Sequence, residues 1–194
     1  MEKQLPDNQV DQVVEILSRG GVIAYPTDTL YGIGCDVLNQ KAIKKVFELK
    51  GRDFKKPLSI ACADFKMIEQ FATVSIKTKK IVKKLLPGPY TIILPKREVI
   101  SDLVTAGSEM VGVRIPDHNL CLSIIRKFGR PIITTSANLS GEKSITKYDD
   151  IILPVDFIVR GKCKYNQPST VIDAINKKIL RKGAGLEKLE KNLL

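Results

Sequence analysis

The sequence is poor in the residues on which several common classes of binding protein depend. It has no tryptophan, aromatic residues make up 6% of the chain, and the only histidine is His118. A histidine-rich metal centre is therefore excluded, and any metal should be a hard cation held by oxygen ligands or phosphates. The low aromatic content also counts against base stacking on a nucleic acid as the main activity.

Closely spaced cysteines and long apolar runs are missing as well. Cys35, Cys62, Cys121 and Cys163 lie far apart, which fits neither a zinc ribbon nor a redox pair and predicts reduced, partly buried thiols. No apolar run reaches the roughly 18 residues that a transmembrane helix needs. The start of the chain lacks the basic and apolar regions of a signal peptide. We therefore expect a cytoplasmic protein that makes no membrane contact.

Positive charge is what the sequence has in excess. The chain of 194 residues carries 32 Lys and Arg against 21 Asp and Glu, a formal net charge of +11. An excess of this size predicts an anionic partner such as a nucleic acid, a nucleotide or phosphate. The lysine-rich segment 77–84 is typical of a solvated helix face, with RNA contact as the alternative.

The apolar periodicity alternates between helical and extended patterns along the whole chain. Helices are predicted at residues 8–19, after Asn39, near Asp64 and Ser75, and after Asp117 as the capping residue. Strands are predicted at 22–25, 58–62, 90–94, 111–115, 132–135, 155–159, 170–175 and 178–181. This mixture predicts one α/β domain over residues 1–194, built around a mixed sheet, with 183–194 as a tail or short helix.

Two polar segments follow predicted strands, which is where open α/β sheets bind ligands. Residues 25–34 read Tyr-Pro-Thr-Asp-Thr-Leu-Tyr-Gly-Ile-Gly, a rigid turn that presents hydroxyls and backbone N–H groups. A well-made turn is the alternative, but the density of such residues favours a site. Residues 134–141, Thr-Thr-Ser-Ala-Asn-Leu-Ser-Gly, predict either N–H donors for phosphate or ribose, or a helix cap.

Cationic residues stand in two places that a solvated surface does not explain. The segment 50–57 carries four cations within seven residues, an arrangement suited to clamping a polyphosphate. A helix dipole would account for Lys50 alone. Arg114 lies within an apolar strand, where a charge is costly unless it is paired. Its partner is either a carboxylate ligand or an internal Asp or Glu, and the strand alone favours neither.

Taken together, these segments resemble the YrdC/TsaC family of L-threonylcarbamoyladenylate synthases. The resemblance runs from about Gly21 to Arg181 and rests on motifs that are specific in combination. They are Tyr-Pro-Thr-Asp-Thr-Leu-Tyr-Gly-Ile-Gly, Lys-Gly-Arg, Lys-Pro-Leu, Pro-Gly-Pro-Tyr-Thr, Val-Arg-Ile-Pro, Ser-Ala-Asn-Leu-Ser-Gly and Ser-Thr-Val-Ile-Asp. The chain looks like the short form, without the C-terminal accessory domain of longer relatives.

The resemblance implies a twisted mixed α/β sheet with flanking helices and an open, basic, concave face. It also implies a nucleotidyltransferase that converts L-threonine, bicarbonate and ATP into threonylcarbamoyl-AMP and pyrophosphate, for the t6A modification of tRNA. A separate threonylcarbamoyl-transferase complex would then act on the tRNA, and direct tRNA contact by this chain is left open. Mg2+ is expected with ATP, held mainly by phosphates and water, because no carboxylate cluster is visible.

The resemblance assigns roles to individual residues of this sequence. L-threonine would be bound by Thr29, Arg114, Thr134 and Ser169, with Lys50 and Arg52 as the catalytic cations. ATP would be bound by Arg52, Lys56, Ser136, Asn138, Ser144 and Arg181, with Lys50 contributing to its binding. The sequence departs from relatives at Ala61, where many have His, and at Lys56, where Asn is frequent. A partly closed site is expected, with loop 50–56 or 140–144 as its lid.

Two other functions are compatible with parts of the sequence. One is a translation-related module that binds double-stranded RNA or tRNA without catalysis, which the net charge would favour. The other is the carbamoyl-adenylate-forming domain of hydrogenase-maturation carbamoyltransferases. Those chains are long and carry zinc-finger modules, so 194 residues without a Cys-x-x-Cys motif argue against it.

Overall fold

The computed structural model describes residues 7–193, and the side chains of residues 9–189. Its helices are α1 Asp7–Ser18, α2 Gln40–Lys50, α3 Phe65–Phe71, α4 Ile76–Leu85, α5 Asp102–Thr105, α6 Asn119–Phe128 and α7 Leu186–Leu193. Its strands are β1 Ile23–Pro26, β2 Tyr31–Gly34, β3 Ser59–Ala61, β4 Tyr90–Pro95, β5 Met110–Arg114, β6 Ile132–Ser136, β7 Phe157–Ile158, β8 Thr170–Asp173 and β9 Lys178–Arg181. The prediction that the chain has no signal peptide rests on its first residues, most of which lie outside the described range.

The nine strands form one mixed sheet in the order β7-β1-β2-β6-β3-β5-β4-β8-β9. The pairs β1–β7, β3–β5 and β4–β8 are parallel, and the other neighbouring pairs are antiparallel. The predicted mixed α/β fold is therefore confirmed. The order also interleaves distant parts of the chain, so that strands from both halves of the sequence lie side by side.

Three helices begin at residues that cap them, close to the starts that the sequence predicts. The side chains of Asn39, Asp64 and Ser75 each accept a backbone N–H three residues further on, at 3.1, 2.8 and 3.2 Å. These bonds satisfy donors that a helix leaves free in its first turn. The cap predicted at Asp117 is wrong by one residue. His118 is the cap, and its Nδ1 accepts the N–H of Cys121 at 3.3 Å.

Strand β2 is absent from the sequence prediction, which assigned its residues to a turn. Two of its four residues are glycines, and glycine is unfavourable in a strand. Packing explains Gly34, because a Cβ there would lie 2.7 Å from Cε1 of Tyr25 and 2.9 Å from the carbonyl oxygen of Ile133. Helix α5, a single turn, was also not predicted.

Apolar side chains from the helices and the sheet form the buried core. Cys35, Cys62 and Cys121 are buried within it, and all four cysteines of the chain are free thiols. Within residues 7–193, no helix has both the length and the apolar character needed to cross a membrane.

Candidate active site

A cleft of about 270 Å³ crosses one face of the sheet. Its walls carry the side chains of Arg52, Arg114 and Arg181, and hydroxyl residues from β3, β4 and β6. Among the described residues that line it, none is an aspartate or a glutamate. A cleft with three cations and no lining carboxylate is suited to anionic ligands.

Most of the site residues predicted from the sequence lie together on the walls of this cleft. They are Thr29, Arg52, Arg114, Thr134, Ser136, Ser144, Ser169 and Arg181. The predicted residues that do not line it are Lys50, Lys56 and Asn138. Eight of the eleven predicted site residues thus line one cleft, and the binding roles of all eleven stay predictions.

The floor of the cleft is a row of short side chains on neighbouring strands. Ser59 is paired in register with Thr134 on one side and with Gly112 on the other. A Cβ on Gly112 would lie only 2.6 Å from Oγ of Ser59 and 3.0 Å from Cγ2 of Thr91. Glycine at this position therefore lets Ser59 and Thr91 approach each other across β5.

Arg114 projects from the end of β5 into the cleft, on the face opposite to Val113, as strand alternation predicts. Its Nη2 donates to Oδ1 of Asp28 at 2.5 Å, and its Nη1 donates to Oγ1 of Thr29 at 3.0 Å. Of the two partners that the sequence left open, an internal carboxylate is thus present. The guanidinium still lines the cleft, so that it remains available to a ligand as well.

The turn between β1 and β2 holds Thr29 in place through its own hydrogen bonds. Oγ1 of Thr27 accepts the N–H groups of Thr29 and Leu30, at 3.1 and 3.2 Å, and donates to the carbonyl of Leu30 at 2.7 Å. The two threonine hydroxyls lie 3.0 Å apart. This compact ST-turn makes the Thr29 hydroxyl a fixed part of the cleft wall.

Ser169 and Arg181 form the opposite wall as a connected pair. Nε and Nη2 of Arg181 donate to the carbonyl of Ser169 at 3.1 and 2.9 Å, and Nη2 also donates to its hydroxyl at 3.0 Å. The hydroxyls of Ser169 and Thr91 are 2.8 Å apart. Burial lowers the pKa of the Arg181 guanidinium, and the nearby charge of Arg114 lowers it further.

Arg52 lies on the loop after α2 and is folded back onto that loop. Its Nε and Nη2 donate to the carbonyl oxygens of Lys56 and Pro57, at 3.2 and 2.9 Å. Burial lowers the pKa of its guanidinium. The ring of Phe54 stacks on that of Phe47 in α2, with centroids 4.6 Å apart. This contact fixes the loop against the helix and so holds Arg52 at the cleft.

Lys50, predicted as a catalytic cation, is buried at the end of α2 with only 2% of its surface exposed. Its ammonium donates to the carbonyl oxygens of Ser136 and, at 2.5 Å, of Asn138. Its own carbonyl accepts the N–H of Ser140 at 2.9 Å. Lys50 therefore ties α2 to the end of β6 and to the segment that follows it, and Ser136, the last residue of β6, lines the cleft.

Burial, with a smaller effect of Arg52, lowers the pKa of Lys50 to about 8. Between pH 8 and the ordinary lysine value, the unfolded chain then binds more protons here than the folded one, so this residue's contribution to stability rises with pH. Buried thiols such as Cys62, whose pKa burial raises, act in the opposite direction. We expect urea unfolding at pH 7.5 and 9.5 to show wild type gaining stability relative to Lys50→Met. An unchanged difference between the two proteins would contradict this.

The two remaining predicted ATP ligands differ in their surroundings. The amide nitrogen of Asn138 donates to the carbonyls of Leu139 and Glu142, both at 2.8 Å, and so shapes the loop that leads to Ser144. Lys56 is exposed beside the cleft. For both residues, the role in ATP binding stays a prediction.

Sequence reasoning missed several residues that line the cleft, among them Thr27, Ser59 and Thr91. Thr91 lies in the Pro-Gly-Pro-Tyr-Thr motif, and Ser59 is a polar residue within an otherwise apolar strand, so both had a visible signal. Ala61, where relatives often have His, is fully buried and paired in register with Arg114.

The chain is similar in sequence and in structure to known proteins. A model of the Sua5/YciO/YrdC family, described as telomere recombination, matches residues 15–183. A Methanocaldococcus jannaschii protein is 41% identical over 97% of this chain and 93% of its own. The threonylcarbamoyl-AMP synthase of Bacillus subtilis is 41% identical over 80% of this chain, which spans 45% of that protein. Pyrococcus abyssi Sua5 in complex with L-threonine superposes with a TM-score of 0.91 and 34% identity, over 97% of this chain and 58% of its own.

Proposed function

Because this chain belongs to the Sua5/YciO/YrdC family, we propose that it is an L-threonylcarbamoyladenylate synthase. Such an enzyme makes threonylcarbamoyl-AMP and pyrophosphate from L-threonine, bicarbonate and ATP. The observation that carries the proposal is the cleft itself, in which three arginines and a row of hydroxyls meet without a lining carboxylate among the described residues. Relatives that carry the name threonylcarbamoyl-AMP synthase support it.

The reaction joins two anions, and this determines what the protein must supply. The threonine amine reacts with bicarbonate with loss of water, or with CO2 with loss of a proton, to give a carbamate. An oxygen of the carbamate then attacks the α-phosphorus of ATP. The bond from that phosphorus to the bridging oxygen breaks, and pyrophosphate leaves with the electron pair. Because both reactants are negatively charged, catalysis consists mainly of neutralising charge and aligning the reacting atoms.

The cleft offers separate surroundings for the two substrates. Arg114, Thr29, Thr134 and Ser169 would bind L-threonine, with Arg114 pairing its carboxylate. Arg52, Arg181, Ser136 and Ser144 would contact the nucleotide, with Arg52 and Arg181 placed to balance phosphate charge. Lys50 would support nucleotide binding indirectly, because its ammonium donates to the backbone carbonyls of Ser136 and Asn138.

Mg2+ is part of the proposal as a companion of ATP. Within the described residues, no group of three or more Asp, Glu, His or Cys side chains is placed to bind a metal. A cleft wall of hydroxyls and arginines suits a Mg2+ ion that keeps its water and is held by phosphate oxygens. Bound in this way, the ion would neutralise charge on the leaving pyrophosphate.

The product links a carbamate to AMP as a mixed anhydride, which water destroys readily, so we propose that a separate transferase complex takes it to tRNA. We also propose that residues 1–194 form one domain, in agreement with the single sheet that extends through the described chain. With a separate transferase complex, this chain supplies the activated intermediate, and the complex recognises the nucleoside that is modified.

The experiment that tests the proposal measures pyrophosphate release by the purified protein. We expect release only when ATP, L-threonine and bicarbonate are all present, together with an adenylate product whose mass equals threonylcarbamoyl-AMP. L-serine and carbamoyl phosphate serve as comparison substrates. Equal activity with either would contradict the assignment, and salt-dependent RNA binding without pyrophosphate release would favour a non-catalytic module.

A further inference from the structure

Asp28 is a fully buried carboxylate directly behind the wall of the cleft. It has 0% exposed surface, and its Oδ1 accepts the 2.5 Å hydrogen bond from Nη2 of Arg114. Its Oδ2 has no hydrogen-bond partner among the described residues. A buried ion pair of this kind contributes little net stability, since the desolvation of both charges offsets their attraction. Its presence therefore needs another explanation.

The backbone of Asp28 makes a second connection. Its carbonyl oxygen accepts the N–H groups of Lys164 and Tyr165, at 3.0 and 2.9 Å. These residues begin the short segment that reaches Ser169 on the other wall of the cleft. Asp28 therefore contacts Arg114 through its side chain and the segment leading to Ser169 through its backbone. One residue thus supports both walls of the part of the cleft that would bind L-threonine.

We infer that Asp28 is a positioning residue for recognition of the substrate carboxylate, acting through Arg114. The inference rests on the proposed function. Asp28 and Thr29 each accept one N–H from a different terminal nitrogen of the guanidinium, which fixes its plane. Each of these nitrogens retains one further N–H, and two such groups on one guanidinium can bind a carboxylate bidentately.

The charge of Asp28 also affects selectivity. The buried pair with Arg114 is neutral overall, so this half of the cleft attracts anions less strongly than a free arginine would. A carboxylate still gains two directed hydrogen bonds from the fixed guanidinium, whereas the multiply charged phosphates of ATP, which depend more on net positive charge, lose attraction. Asp28 thereby favours the amino acid in its own half and leaves the phosphates to Arg52 and Arg181.

The test uses Asp28→Asn, which keeps the shape and the backbone of the residue but removes its charge. Titration calorimetry should show L-threonine binding weakened about tenfold, which corresponds to ~1.4 kcal/mol, and ATP binding changed less than about twofold. L-threoninamide, which lacks the carboxylate, should bind equally to wild type and variant. Asp36→Asn is the matched control, because Asp36 is a similarly buried carboxylate that pairs with Arg130 outside the cleft.

A double-mutant cycle separates positioning from a general structural role. In an Arg114→Gln background, Asp28→Asn should have no further effect on L-threonine binding. An equal loss in that background, or an equal loss for L-threoninamide, would overturn the inference. If Asp28→Asn does not fold, Asp28→Glu keeps the charge but displaces the carboxylate from Arg114. It should weaken L-threonine but not ATP binding, and normal L-threonine binding would overturn the inference.

Failure of the proposed function would be recognised separately. A wild-type protein that binds no L-threonine, or that binds it and releases no pyrophosphate, would overturn the synthase assignment. An active wild type, with an Asp28→Asn variant that binds L-threonine normally, would overturn only the role of Asp28.

Discussion

Replacing Arg52 with alanine is expected to slow pyrophosphate release about 100- to 1,000-fold, as the loss of one preorganised charge donor typically does. Arg52 lines the cleft from the loop after α2, and its guanidinium is held by the carbonyls of Lys56 and Pro57. These bonds lie within an exposed loop, so their loss should cost only about 1 kcal/mol of folding stability. Steady-state kinetics and thermal unfolding measure the two effects on the same protein.

Lys55→Ala is the matched control for this experiment. Lys55 lies on the same loop and is exposed, but it does not line the cleft. We expect its turnover to remain within about twofold of wild type, since removal of an exposed surface charge rarely has a large effect. If Arg52→Ala unfolds many degrees below wild type, the residue is structural, and if both variants lose activity equally, the general charge of the loop is responsible.

Replacing Lys50 with methionine is expected to reduce turnover by about 100-fold, although the side chain does not reach the cleft. Methionine fills a similar volume but donates no hydrogen bond to the carbonyls of Ser136 and Asn138. The end of β6 and the segment after it should then shift, and with them Ser136 and Ser144, the two serines proposed to contact the nucleotide. Hydrogen exchange should be faster at residues 136–140 in this variant, because their support from α2 is lost.

The exchange measurement distinguishes two roles for Lys50. A lysine that acts only by contacting ATP would lower turnover and leave exchange at residues 136–140 unchanged. Lys44→Met is the control, because Lys44 lies on the exposed face of the same helix. It should change neither turnover nor exchange. Equal exchange in the Lys50 variant and wild type would exclude the positioning role and favour direct contact.

The sequence predicted those features that depend on neighbouring residues. The helix starts near Asn39, Asp64 and Ser75 need only local information, and they occur as predicted. The facing of Arg114 also followed from alternation within one strand. Strand β2 could not be identified in this way, since the reason for Gly34 is the closeness of Tyr25 and Ile133, which only the folded sheet brings together.

The candidate site, too, could be predicted only where neighbouring residues were sufficient. The cations of loop 50–57 were visible as a group, but their different positions were not. Lys50 is turned inward to backbone carbonyls, Arg52 lines the cleft and Lys56 is exposed, because the helix end and the turn after it orient each one separately. The partner of Arg114 was equally hidden, since Asp28 precedes it by 86 residues.

The interleaved strand order has a consequence for how the protein becomes active during synthesis. Walls of the cleft come from Thr29 near the start of the chain and from Arg181 near its end, and the latter lies on the edge strand β9. The strands between them pair mainly with partners distant in sequence, and such contacts form slowly. A nascent chain that ends before Ser169 would have Arg114 and Thr29 but no Ser169 or Arg181 opposite them. Under the roles proposed for Ser169 and Arg181, the site is therefore complete only when almost the whole chain has been made.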